Sequence, residues 1–198
     1  MTHSFVPLID RLPPAAPLVS VRSQRELSAA QLREAVATET QRLRRLGLAH
    51  GDRIVVGHSD PLDFLIALFA AWQAGLVAVG VNPKLSALEQ DNVVATAGAR
   101  AWLGELRTTL PEVEAAPSDP APLGPDEPAL LLMTSGTTGR PKGITLSQSA
   151  LLARIAHNLE AIPELPLPTL CILPVFFGHG LIGNVLTPLL AGSRVYLW

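Results

Sequence analysis

A chain of 198 residues, 48% hydrophobic and 16% charged, has the length and apolar content for a substantial core, which excludes a disordered chain. Its formal net charge of −2 leaves no basic field to gather nucleic acid or an anionic membrane surface, so a phosphate ligand has to be held by local groups. A single cysteine, Cys171, leaves no disulfide framework, makes a cytoplasmic setting the default and, lying in the apolar run Leu170–Leu173, is expected to be a buried, inert thiol.

The proline-rich stretch Met1–Pro17 is expected to wrap the surface, with a short strand near Leu18–Val21. Ser28 and Gln31 have the spacing of a capping box. They open a helix whose Leu32, Val36, Leu43 and Leu46 share a face, with Glu34 and Glu39 early and Arg42, Arg44 and Arg45 late. Gly47 ends it.

A strand Ile54–Gly57, a helix from Pro61 to Ala74, a turn at Gly75 and a strand Leu76–Val81 make a strand–helix–strand unit and hence a parallel pair. Phe64–Val81 has no charged residue and nominally reaches membrane-span length, but Gln73 and Gly75 interrupt it and its second part turns β-branched. It reads as a buried helix followed by a buried strand, with Trp72 in the core and no membrane span.

Asn82-Pro83 marks an exit loop, Ser86 and Glu89 cap a helix to Ala97, and Ala101–Leu103 is another short strand. The alternation argues an α/β fold with helices on both faces of a layered, mostly parallel sheet. Pro111–Pro128 holds six prolines and reads as an extended linker dividing residues 1–110 from 129–198.

The most informative stretch follows, LLLMTSGTTGRPKGITL at Leu130–Leu146. The run Ala129–Met133 lacks polar alternation and suits a strand buried on both faces. Gly136, Gly139 and Gly143 let an oxygen-rich ligand approach the amides, Thr134, Ser135, Thr137 and Thr138 add hydroxyls, and Lys142, one of only two lysines, adds a point charge. These residues predict a phosphate-binding loop between two strands. A Walker A loop is excluded because Pro141 precedes Lys142 and Gly143 follows it, and a dinucleotide-binding glycine pattern lacks its third glycine.

Ser147 caps a helix with Leu151, Leu152, Ile155 and Leu159 on its apolar face, and Pro163, Pro166 and Pro168 stop it. Leu170–Leu173 reads as a buried strand. PVFFGHGLIGN, Pro174–Asn184, reads as a glycine-rich loop before an apolar helix to Ala191, at the carboxyl end of a strand where parallel sheets place ligands. No carboxylate pair or metal-ligand spacing stands out.

TSGTTGRPKG at 134–143 closely resembles the phosphate-loop signature of the adenylate-forming superfamily: acyl-CoA synthetases, peptide-synthetase adenylation domains and luciferases. Leu27–Leu46, GDRIVV and LIALFAAWQAGLVAVGVNP resemble its N-terminal layout in order and spacing, so the resemblance spans nearly the whole chain. It implies the N-terminal part of that family's large domain and an ATP-dependent ligase that converts a carboxylic acid to an acyl-adenylate with release of pyrophosphate. The acyl group would then pass to the thiol of CoA or of a carrier protein. It implies ATP phosphate contacts at Thr134, Ser135, Gly136, Thr137, Thr138, Gly139 and Lys142. An acyl pocket would be lined by Phe177, His179 and Gly180, and Mg²⁺ is implied with its ligand outside this sequence.

Two departures qualify the expectation. Many relatives place histidine directly after the phenylalanine of the second motif, where this chain has Phe177. The family's Tyr-Gly-Thr-Glu motif, ribose-binding aspartate, hinge and small C-terminal domain with its lysine do not occur before Trp198. The chain by itself is therefore expected to be inactive in adenylation and to need further sequence or a second chain, or else to act as a non-catalytic interaction module. Arg194–Trp198, read as a strand lacking a neighbour, is expected to leave a hydrophobic edge and promote aggregation.

Overall fold

The structure, a computed structural model, describes residues 7–14, 17–105, 121–134 and 142–198, with the backbone alone at 134. The strands form two sheets. One has five strands in the order β5 (Ala99–Gly104), β3 (Arg53–Gly57), β4 (Val77–Gly80), β6 (Pro128–Thr134) and β7 (Lys142–Ser147). All its pairs are parallel except β6 with β7, which form an antiparallel hairpin. The other sheet has the order β2 (Arg25–Leu27), β1 (Leu18–Ser20), β9 (Val195–Leu197) and β8 (Thr169–Cys171), with only the β1–β2 pair antiparallel. The α/β reading holds, with the strands shared between two sheets rather than one.

Side-chain alternation splits the five-stranded sheet into two buried faces. Ile54, Val56, Ala78 and Leu130 belong to the main core with helices α1 (Ala29–Arg44) and α2 (Pro61–Gln73). Val55 and Val79 form a smaller core with Val93 and Ala97 of α3 (Ala87–Ala97). Helices thus cover both faces. Helix α2 is apolar on nearly every side, with Phe64, Leu65, Leu68 and Phe69 buried, because it packs on β3 and β4 of one sheet and β1 of the other. The uncharged run Phe64–Val81 is therefore a buried helix and strand, and no helix among the described residues is long and apolar enough to cross a membrane.

Local signals act where they stand. Ser28 and Gln31, and Ser86 and Glu89, make reciprocal capping boxes. Asp60 accepts the backbone N–H of Leu62 one residue before Pro61 opens α2. Gly75 turns at φ +72° between α2 and β4. Ser147 caps α4 (Gln148–Ala161), whose Leu151 and Ile155 are buried. Cys171 is buried, and desolvation raises its thiol pKa, as an inert core thiol requires.

Four expectations are corrected. Leu8 and Ile9, in a short 3₁₀ helix Leu8–Arg11, and Leu12 are core residues, so this part of the N-terminal arm is buried rather than wrapped over the surface. Leu170–Leu173 is not a buried strand: β8 lies at a sheet edge and leaves Leu170 57% and Ile172 68% exposed. The second motif is a loop only to Gly178, since His179–Leu186 forms a π-helical segment that runs into α5 (Thr187–Ala191). Finally, β9 is no edge, because it pairs with both β1 and β8. The linker between β5 and β6 lies outside the described residues up to position 120; beyond it, Leu123 is buried and its N–H donates to Trp72 O.

Candidate functional site

Strands β6 and β7 set the frame of the predicted phosphate loop. Their register runs from Pro128 opposite Ser147 to Thr134 opposite Lys142, so these last two residues close the hairpin around 135–141. Ser135, Gly136, Thr137, Thr138 and Gly139 lie outside the described residues, as does the Thr134 side chain. Lys142 is exposed at the start of β7. Ala129 and Leu130 are buried and Leu131–Met133 half-buried, so the strand emerges from the core toward the loop. Gly143 meets Leu131 across the hairpin, where a Cβ would lie 2.7 Å from Leu131 Cδ1.

The second motif crosses β4 and β6 toward their carboxyl ends. A Cβ on Gly80, at the end of β4, would lie 3.5 Å from Phe176 O, and one on Gly178 would lie 2.9 Å from Leu132 Cδ1 on β6. The two motifs, remote in sequence, therefore meet beside the root of the predicted phosphate loop. Of the residues assigned to an acyl pocket, His179 is exposed and begins the π-helical segment, and Phe177 is 52% exposed and tilted against Phe176 at 4.8 Å between ring centroids. Gly180 is buried against Pro174 O, where a Cβ would have no room. Its contribution is close packing rather than an exposed lining.

Two cavities flank this junction. One, of about 320 Å³, lies between α4 and the π-helical segment and is lined by Arg154, Asn158, Gly178, His179, Ile182 and Asn184. The other, of about 300 Å³, lies between the two sheets and includes Arg22, His58, Asn82, Lys84, Phe176 and Trp198 in its lining. Helices α2 and α3 leave β3 and β4 toward opposite faces, so His58 and Asn82 stand at a topological switch point, where open α/β sheets bind ligands. Burial lowers the His58 pKa, outweighing the opposing fields of Asp63, Glu39 and Glu105. A wider cavity, about 420 Å³, opens at the other end of the sheet by Gly51, Val77 and Pro128. Leu131 and Thr145 of the β6–β7 hairpin line it, and no residue of Pro174–Asn184 does.

Sequence reasoning passed over Arg154, Asn158, His58 and Arg22. His58 had a usable signal in its place just after a β-strand that opens a parallel pair; Arg154 had none, because a solvated helix arginine looks the same in sequence. Among the described residues, no three His, Cys, Asp or Glu side chains gather to hold a metal.

The chain is similar to 4-coumarate–CoA ligase 2 of Oryza sativa subsp. japonica, at 26% identity over 94% of this chain and 41% of that protein. It is 36% identical to a feruloyl-CoA synthase of Amycolatopsis sp. over 63% of this chain and 29% of that one. Its fold matches ATP-bound MatB from Rhodopseudomonas palustris with a TM-score of 0.79 and 22% identity, over 96% of this chain and 44% of that chain. It also matches the N-terminal subdomain of Klebsiella oxytoca NpsA at a TM-score of 0.78 and 24% identity, over 96% of this chain and 51% of that chain. The chain thus spans less than half the length of these two curated relatives. The model of the AMP-binding enzyme family matches residues 10–198, and the chain belongs to that family.

Proposed function

We propose that this chain supplies the phosphate-binding and acyl-binding elements of an ATP-dependent ligase that activates a carboxylic acid as its acyl-adenylate, for transfer to the thiol of CoA or of a carrier protein. The observation that carries the reading is the junction of the two motifs. The Thr134–Lys142 pair that closes the phosphate loop stands at the end of the hairpin whose Leu132 touches Gly178, one residue before His179.

In this reading ATP supplies the electrophilic α-phosphorus. A carboxylate oxygen forms a bond to it as the bond to pyrophosphate breaks. The carboxylate is already ionised at neutral pH, so none of this chain's residues needs to remove a proton. Thr134, Ser135, Gly136, Thr137, Thr138, Gly139 and Lys142 hold the β- and γ-phosphates through hydroxyls, amides and one charge, and stabilise the charge that grows on the leaving group. Mg²⁺ would arrive on those phosphates. Phe177 and His179 border the acid, and Gly180 lets the motif pack closely enough to place them. CoA ligases among the relatives support the thiol as acceptor.

The test is carboxylate-dependent ATP–pyrophosphate exchange by the full-length gene product, with and without Lys142→Ala. Losing one charge-assisted contact to phosphate costs about 1.5–3 kcal/mol, or about 10- to 100-fold in exchange. Exchange that is unchanged in the variant would remove Lys142 from the phosphate site. ATP binding without exchange on any acid would sink the ligase reading.

A further inference from the structure

The cavity between α4 and the π-helical segment has a chemical bias of its own. Arg154, His179 and Asn184 converge on it, and none of their side chains has a hydrogen-bond or ion-pair partner among the described residues. Exposed polar side chains on a convex surface are satisfied by water and need no ligand. These instead line a concave space next to the residues that meet the root of the phosphate loop.

The wall is held in shape by bonds that leave those groups available. Thr187 Oγ1 donates to Ile182 O at 2.7 Å, across the wide π turn, and Asn158 Nδ2 donates to Thr187 Oγ1 at 3.1 Å. This ties α4 to the π-helical segment. On the cavity side of that segment, a Cβ at Gly183 would meet nothing within 4 Å. Ile162 and Ile182 add apolar surface.

We propose that this cavity selects carboxylic acids that carry a second hydrogen-bond-accepting oxygen at the end remote from the reacting carboxylate, engaged by the Arg154 guanidinium with Asn184 and His179 beside it. The inference rests on the carboxylate-activating reading above and names the substrate class of that site. A planar guanidinium holds such an oxygen in a charge-assisted hydrogen bond, whether it belongs to a second carboxylate or to a phenol. An acid without it leaves the guanidinium in water and forgoes that contact. The apolar residues accommodate the body of either acid.

The experiment measures NMR dissociation constants of benzoate, 3-hydroxybenzoate and isophthalate for the full-length gene product, following ATP in the same samples by broadening of its ³¹P lines. Isophthalate and 3-hydroxybenzoate should bind about tenfold more tightly than benzoate, and Arg154→Ala, a change favourable to a helix, should bring that ratio to about twofold or less. Whichever of the two binds more tightly identifies the distal group as anion or phenol. Gly183→Val narrows the cavity and should weaken all three acids several-fold. Equal binding of the three acids, a preference untouched by Arg154→Ala, or indifference to Gly183→Val overturns the proposal. If these failures come with clear ATP broadening, the nucleotide reading stands and only the acid selectivity is wrong; if ATP fails to broaden, both fall together.

Discussion

Gly178 lies against Leu132: a Cβ added at Gly178 would sit 2.9 Å from Leu132 Cδ1, inside ordinary van der Waals contact. Leu132 is two residues from Thr134, where the described part of β6 ends, and Gly178 leads into His179. Its backbone angles, φ −55° and ψ −38°, suit any residue, so the need for glycine is purely steric. Gly178→Ala should cost little, because the end of a leucine side chain can swing away. Gly178→Val should cost about 1–3 kcal/mol, the range of an overpacked contact. Urea unfolding checks this, and Leu132→Ala in the same chain should recover most of the loss. An undiminished cost in the double variant would locate the clash elsewhere.

Trp72 ties helix α2 to the base of the loop-bearing strand through its Nε1–H, which donates to Ala129 O at 2.7 Å in the buried core. Trp72→Phe keeps an aromatic ring but leaves that carbonyl unsatisfied. The expected loss is about 1–3 kcal/mol plus the smaller ring's packing deficit, read from the chemical-denaturation midpoint. A change below about 0.5 kcal/mol would mean that the carbonyl finds another donor.

His58 predicts a pH dependence whose sign follows from burial. Its folded pKa is below the ordinary histidine value, so on acidification the unfolded chain takes up this proton first. The associated stability is fully present above about pH 6.5 and is lost as pH falls through the folded value. The urea midpoint should therefore decline on acidification from pH 7.5, and less steeply in His58→Gln. Parallel curves for the two proteins would assign the decline to other groups.

Among the described residues β8 pairs only with β9, and this edge predicts self-association of the 198-residue chain. Leu170, Ile172 and Leu173 are exposed beside it, and unpaired strand edges with apolar side chains template further pairing. Light scattering at rising concentration should show growth that Ile172→Lys suppresses. Growth unaffected by Ile172→Lys but suppressed by a change in β7 would shift the sticky edge to the other sheet.

The sequence by itself determined the elements whose causes are local. The Ser28–Gln31 and Ser86–Glu89 boxes, the turn at Gly75 and the continuous apolar run of α2 act within a few residues, and each is present where the residues place it. The two strands flanking the predicted phosphate loop were legible for the same reason, as the apolar run Ala129–Met133 is contiguous, and the β6–β7 hairpin frames residues 135–141. Only the tertiary structure decided which apolar residues are buried and which polar ones share a cavity. Leu8 and Leu170 are alike in sequence, yet one is enclosed by core partners and the other lies on an edge strand. Strand β9 escapes being an edge because Val195 finds Leu18 on one side and Thr169 on the other. Arg154 and His179 likewise line one cavity only because α4 packs on the π-helical segment. Pairings of that kind depend on how distant segments close on one another, which local propensity and hydrophobic period do not encode.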